Sequence, residues 1–429
     1  MRKFSFAIGA VMLLAAACAK QPSEDPFQPL VLSAEQEGVT KTSLSGTSVH
    51  WNTGDQVAAF VKNVAHNSTS TEILSATSAR FTFSDLEAGA TVQYAVYPAS
   101  AVVGPYAKGA TVTVPSEQTA TADSFDEGAA VAIAGGAASP MVFRNICGFL
   151  AFTFASSDAA NVASIRIIAN EPMTGQADVD WNGGNPTVAP STTKSLNGVK
   201  LSGTFQSGKT YYVAVFPRTS YTGLTIKITK KDGYVSTYSN PNALALARKG
   251  NIVIARNLAL KDVPASGNWA EKDPAYIGST EVVIPVGKVG SDYQLISNVD
   301  TEQSGSPAAS SIANVESASL TSVGEYYRWH LSYSEGKFQL FPANTNARWL
   351  NCETTAADSG SQTCMAVNND GYFNRKYFIW DAAGHVLTSD SYAARYLSYY
   401  STGNCWYGET YPASASYPAA MFSFYVQVP

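Results

Sequence analysis

Ile146-Cys-Gly-Phe-Leu-Ala-Phe-Thr-Phe154 is an aromatic-rich, almost unbroken apolar run, and it reads as a β-strand in which Cys147 is a small buried hydrophobe. The chain on its C-terminal side repeats that signal at 162–169, 198–205, 210–216, 224–230 and 252–258, with a Gly-rich turn near Trp181. Toward the N-terminus, 30–32, 39–44, 48–51, 56–60, 80–83, 91–97 and 110–114 are short segments of the same kind, parted by Gly, Pro, Asn and Asp. Many of them alternate apolar with polar residues, which describes antiparallel sandwiches or barrels. Trp51 and Phe60 are the candidates to fill the first core.

Composition agrees. Charged residues are 14% of the 429, well under the usual quarter, so there is little material for exposed helices. The formal net charge of −5, without any Lys/Arg cluster, gives no field for nucleic acid, and a ligand is expected to be neutral, a peptide or a surface glycan. The fold class expected is therefore all-β, with length enough for several domains.

The first residues place the chain. Arg2 and Lys3 precede an apolar run over 4–17, too short to span a bilayer, and Cys18 follows three alanines. Residues 1–17 read as a lipoprotein signal peptide and Cys18 as the lipid-attachment residue, with Ala15 where such signals usually have Leu. The lipid partner is then the outer membrane. Residues 18–29 carry three prolines and read as a tether, in which Glu24 and Asp25 resemble the acidic export tag of surface lipoproteins.

Several blocks carry a family likeness: Thr40-Lys-Thr-Ser-Leu-Ser-Gly46, Val49-His-Trp-Asn-Thr-Gly-Asp-Gln-Val57, Tyr97-Pro-Ala-Ser100, Val114-Pro-Ser-Glu-Gln118 and Phe143-Arg-Asn-Ile-Cys-Gly-Phe-Leu150. In this order and spacing they resemble the fimbrillin-like surface lipoproteins of the Bacteroides group. The resemblance implies two tandem transthyretin-like β-sandwiches, over 30–140 and 141–262, and fimbrial subunits as partners. In polymerising members, protease cleavage releases an N-terminal strand and a neighbour's strand fills the groove. This chain has no clear basic cleavage site early in the first domain. Lys41 is the nearest candidate and lies inside a family block. An accessory or tip component of a fimbria is therefore the leading expectation. A stand-alone glycan-binding lipoprotein is the alternative, and a secreted hydrolase a remote one.

Residues 263–280 read as a polar, turn-rich linker. Beyond it, over 281–429, Trp329-His-Leu and Ala347-Arg-Trp-Leu350 are echoed by Trp380-Asp-Ala-Ala-Gly-His-Val-Leu387 and Ala394-Arg-Tyr-Leu397, with a weaker first copy at Ser291-Asp-Tyr-Gln-Leu-Ile-Ser297. Leu350 and Leu397 stand 47 residues apart, a period suited to a β-trefoil-like or similar pseudo-repeated β domain. This part resembles C-terminal domains that accompany fimbrillin-like domains.

Trp406, Tyr407, Tyr411 and Tyr400 are the candidate ligand-binding residues. Cys405-Trp-Tyr407 and Thr410-Tyr-Pro412 fall in a Gly/Ser/Pro-rich stretch expected to be a loop, where flat aromatic surfaces suit a glycan or a host protein. The competing reading is that a Ser/Ala-rich barrel fills its centre with aromatics. Cys352 and Cys364 could bridge where two strands meet, with free thiols as the alternative.

No nucleophile elbow, zinc-protease helix or phosphate loop occurs, and none of the four histidines sits in a recognisable local catalytic arrangement, so no catalysis and no cofactor is expected. Asp178-Val-Asp-Trp-Asn-Gly183 copies half of a calcium loop, but Ala189 stands where its bidentate glutamate belongs, so a turn is the plainer reading and no metal is expected. The expectation that is simplest to check is the anchor. Cys18→Ser should move the protein from the membrane fraction to the soluble one, and a wild-type chain found wholly soluble would refute it.

Overall fold

The computed structural model describes residues 27–37, 51–75, 77–136, 139–155, 157–300, 307–344, 348–353, 362–368, 376–388, 395–409 and 419–429. The architecture is all-β and multi-sheet. Among the described residues, no helix is long and apolar enough to cross a membrane. Cys18, Lys41, His50 and Tyr411 lie outside the described residues.

Gly148–Phe154 is the strand on which two cores meet. It is flanked by Thr210–Val215, antiparallel, and Asn251–Leu258, parallel. Its side chains alternate between two hydrophobic clusters, because successive residues of a strand point to opposite faces. Leu150, Phe152 and Phe154 pack with Ile165, Ile167 and Ile226 of a five-stranded sheet, while Phe149 and Ala151 pack with Val112, Val179 and Phe60. A strand buried on both sides needs an unbroken apolar sequence, and that is what the run supplies.

Further toward the N-terminus, an eight-stranded sheet places Pro29–Gln36 between Ser78–Glu87, antiparallel, and Met141–Asn145, parallel. Trp51 fills its core, edge-on to Phe81, Tyr97 and Phe143 at 4.9–5.3 Å between ring centroids. Phe60 is buried as well.

The sheets do not respect a cut at 140/141. Met141–Asn145 belongs to the eight-stranded sheet, Gly109–Val114 pairs with Thr174–Asp180, and Glu117–Thr119 pairs with Gly198–Ser202. Pairing partners lie far apart in sequence, and a boundary drawn from local turn signals misses them. Segment 263–280 likewise differs from the linker expected. Trp269–Glu271 is a strand paired with Met421–Gln427, Trp269 is buried, and the Asp273 carboxylate caps the short helix Pro274–Tyr276 by accepting from the Ala275 amide at 3.0 Å. Polar composition concealed one tryptophan and one structural aspartate.

The C-terminal strands fall into three sets of four. The sets are Val282–Val289, Asp292–Asp300, Pro307–Ile312 and Trp329–Ser334; Lys337–Pro342, Trp349–Glu353, Gln362–Asn368 and Phe378–Trp380; Val386–Thr388, Tyr396–Tyr400, Cys405–Glu409 and Met421–Gln427. Within each set the middle two strands form a hairpin. The first and last strands of each set meet at Val282–His330, Phe338–Phe378 and the bridge His385–Met421. Neighbouring sets join last strand to first, and Met421–Gln427 closes the ring on Val282–Val289. The repeat seen in sequence maps onto this order. Leu350 and Leu397 occupy the second strands of sets two and three, Ile296 the second strand of set one, and all three are buried in one core.

Glu37, just past the first strand, gathers three cations from two places. Its carboxylate accepts from Arg144 Nη1 at 2.7 Å and Arg248 Nη1 at 2.8 Å, with Lys249 Nζ at 3.5 Å. Burial alone would raise this carboxyl, but the hydrogen bonds from Arg248 and Arg144 and the charges of Arg248 and Lys249 outweigh it and hold it below the usual carboxylate range. A depressed folded-state value gives stability that is present above the unfolded value, about 4.3, and is lost as pH falls through the folded one. Glu37→Gln should therefore be less stable than wild type at pH 7, and the gap should close on acidification below pH about 4, as read from urea midpoints. A gap that stays constant with pH would show that Glu37 adds nothing through its charge.

Candidate functional site: a cleft between the five-stranded sheet and the C-terminal ring

The five-stranded sheet turns one face to its own core and the other to the C-terminal ring. On Leu224–Lys230, Leu224, Ile226 and Ile228 point into the core, so Thr225 and Lys227 face outward. On the neighbouring Val235–Asn240, Ser239 stands opposite Thr225 and Thr237 opposite Lys227, which makes a tile of hydroxyls around one lysine. Arg166, on Val162–Ile168, stands opposite Lys227 on the other side.

Across from this tile lies the outer wall of the ring. Val286 and Lys288 alternate with residues turned into the barrel, and Ser423 and Met421 stand opposite them on Met421–Gln427. Tyr293 stands opposite Lys288 on the next strand. The two walls enclose a cleft of about 430 Å³, within the range of about 300–1,000 Å³ usual for small-molecule sites.

Two seams hold the walls. Lys227 Nζ donates to Glu271 Oε1 at 2.6 Å and to Ser423 Oγ at 2.7 Å, so one ammonium spans sheet, connecting segment and ring. Both members of the ion pair are largely buried. Deeper in, the Arg166 guanidinium lies over the Trp380 ring at 3.5 Å from its centroid and pairs with Asp273 at 3.4 Å. Beside it the turn at Ala382 and Ala383 sits so close to Gly198 that a Cβ there would stand 2.7 Å from the Ala383 Cα. Only glycine permits that approach.

The sequence-predicted aromatics lie elsewhere in the ring, and Trp406 is a correction. It belongs to a strand, Cys405–Glu409, and is fully buried instead of displayed on a loop. Its indole Nε1 donates to the Leu295 carbonyl at 3.0 Å, and its ring lies 5.2 Å from that of Phe422. Gly287 leaves the room, since a Cβ there would come within 2.5 Å of the indole. A ring-closed barrel short of leucine fills its centre with aromatics, and Trp329 is buried in the same way, donating to the Ile296 carbonyl at 3.0 Å.

Tyr400 and Tyr407 remain at the surface, half-buried and edge-to-face at 5.7 Å. Tyr399, the neighbour of Tyr400, packs on the core instead, as alternation requires. Cys352 is opposite Met365 and Cys364 opposite Glu353, so the cysteines occupy diagonal and not directly opposed positions of a hairpin. Their side chains lie outside the described residues.

Among the described residues, those weighed for chemistry are engaged structurally. His66 Nδ1 meets Asp85 at 2.7 Å, His330 Nδ1 meets the Glu281 carbonyl at 3.0 Å, and His385 Nδ1 meets Asp381 at 3.1 Å in a buried turn. Asp178 accepts from Thr111 Oγ1 at 2.6 Å, and Asp180 from the Asn182 amide at 2.9 Å, in a strand and the turn after it. Among the described residues no group of three or more His, Cys, Asp or Glu side chains is placed to hold a metal ion.

The site and its surroundings define an all-β chain of several sheets with a ring-closed C-terminal part. No protein-family model matches it, and no curated protein matches it. Among solved structures it is similar to a candidate cell-adhesion protein of Bacteroides uniformis, at 15% identity and TM-score 0.32 over 51% of this chain and 90% of that one. A candidate cell-adhesion protein of Bacteroides ovatus gives 13% and 0.32 over 52% and 89%. A GlcNAcα1-4Gal-releasing endo-β-galactosidase of Clostridium perfringens gives 10% and 0.25 over 70% and 80%.

Burial of Trp406 makes a stability prediction. Trp406→Ala should cost about 3–5 kcal/mol in chemical denaturation of the full chain, as expected for emptying a core of an indole. Tyr407→Ala, at the surface on the same strand, should cost clearly less. Equal effects would refute the core assignment.

Proposed function

We propose that the chain is a cell-surface protein, lipid-anchored to the outer membrane through Cys18, that acts in adhesion as an accessory or tip component of a fimbria. In this reading transthyretin-like sandwiches carry a β-trefoil-like domain. The three four-strand sets, each with a central hairpin and with outer strands that meet, support the trefoil assignment.

The observation that supports the role is the pairing of Met421–Gln427. Met421–Gln427 is paired on one side with Trp269–Glu271 and on the other with Val282–Val289. A shaft subunit must keep a strand free to complete its neighbour. Here Met421–Gln427 is consumed in closing the ring and is not offered for exchange, which suits a ring that serves as a binding domain. Pro29–Gln36 is likewise an interior strand, and Glu37 beside it is held by three cations.

We read the ring as binding a ligand and not transforming it. The histidines are tied to structural partners, and the polar cleft has the hydroxyl-rich lining of a recognition site.

Two measurements test the proposal. Protease treatment of intact cells should degrade the protein, and affinity purification under native conditions should recover fimbrial subunits with it. Protection in intact cells would refute the surface placement. Recovery solely as an unassociated monomer would refute the fimbrial role in favour of a stand-alone glycan-binding lipoprotein.

A further inference from the structure

We propose that the cleft between the five-stranded sheet and the C-terminal ring binds an acidic saccharide, a short glycan segment carrying a carboxylate. The proposal rests on the adhesive reading above and supplies its ligand class and its site.

The two walls differ in chemistry. One presents the hydroxyls of Thr225, Thr237 and Ser239, set by strand register on a single face. The other presents Val286, Met421 and the flat ring of Tyr293. Thr225 and Thr237 already donate to the Gly223 carbonyl and the Glu271 carboxylate, but a wholly apolar ligand would still strip water from their oxygens and from Ser239 and return no hydrogen bonds, which is costly for each group so buried. A wholly polar one would waste the aromatic wall. A sugar ring has both characters, hydroxyls at its edge and C–H groups on its face, and aromatic rings suit that face.

Charge decides between neutral and acidic sugars. Lys227 is neutralised within the cleft by Glu271. Lys288 lies on the opposite wall with its ammonium 5.9 Å from the centroid of the Tyr293 ring, and among the described residues no carboxylate pairs with it. Among the described residues Glu271 is the sole carboxylate in the lining. The cleft therefore carries one uncompensated positive charge beside an aromatic face, in a chain whose net charge is −5. A carboxylate on the bound ring would meet Lys288 while its apolar face covers Tyr293, and a charge-assisted contact of that kind is among the stronger hydrogen bonds. A nucleotide fits less well, since a single lysine without a carboxylate partner would face the several charges of its phosphates.

The test uses the full chain without its signal peptide, and a panel of size-matched sialylated, uronate-containing and neutral oligosaccharides. Acidic members should bind, more weakly as salt rises. Lys288→Met should weaken that binding about tenfold or more and leave the thermal midpoint unchanged. Thr237→Val should weaken acidic and neutral members alike. Tyr407→Ala, at the surface aromatic pair, should leave binding intact. Binding of acidic glycans that Lys288→Met spares and Tyr407→Ala abolishes would overturn the cleft assignment and keep the adhesive reading. Preference for neutral members would overturn the acidic class. Failure of every saccharide to bind the folded chain would overturn the inference, while recovery of fimbrial subunits with the native protein would still decide the adhesive role separately.

Discussion

Arg166 sits where the sandwich strands and the C-terminal ring come together, and it carries a charge that no protein environment removes. Its side chain is 4% exposed, stacked over Trp380 from the ring and paired with Asp273 from the connecting segment. Burial of such a charge is tolerated only with both partners in place. Attraction and lost hydration nearly offset each other while the pair is intact, whereas loss of one partner costs about 3–5 kcal/mol. The consequence is one of geometry more than of net stability. Sheet, segment and ring are held in the arrangement that pairs the guanidinium with Asp273 and stacks it on Trp380, beside the close approach at Gly198.

The cleft follows from that constraint. Its walls belong to parts of the chain that would be ordinary solvent-facing surfaces if they stood alone: alternating hydroxyls on one, a lysine and a tyrosine on the other. Lys227 completes the closure by reaching Glu271 and Ser423 at once. A cleft is thus assembled by docking two faces, with little demand on either sequence beyond the rule that outward residues be polar.

The same shortage of leucine and charge that makes the chain all-β shapes its cores. Small residues leave volume to be filled, and Trp51, Trp329 and Trp406 fill it. An indole carries one donor that must be satisfied when buried. Trp329 and Trp406 satisfy theirs on adjacent carbonyls of one strand, Ile296 and Leu295. Trp406, which looks like part of a recognition surface in sequence, is thereby consumed in the interior, while Tyr400 and Tyr407 stay at the surface.

Some of this is written locally. Period-two alternation and β-prone composition in segments such as 224–230 specify strands, because side-chain direction in a strand depends on immediate neighbours alone. The echo of Leu350 and Leu397 specifies corresponding places in successive sets for the same reason. Other features depend on partners distant in sequence. The pairing of Gly109–Val114 with Thr174–Asp180, the strand hidden in 263–280, the burial of Trp406 and the meeting of Lys227 with Ser423 each join residues that no local pattern connects. Periodicity tells which way Thr225, Lys227 and Lys288 point. Only the docked tertiary structure decides what they point at, because that is fixed by the seams that Arg166 and Lys227 make with residues distant in sequence.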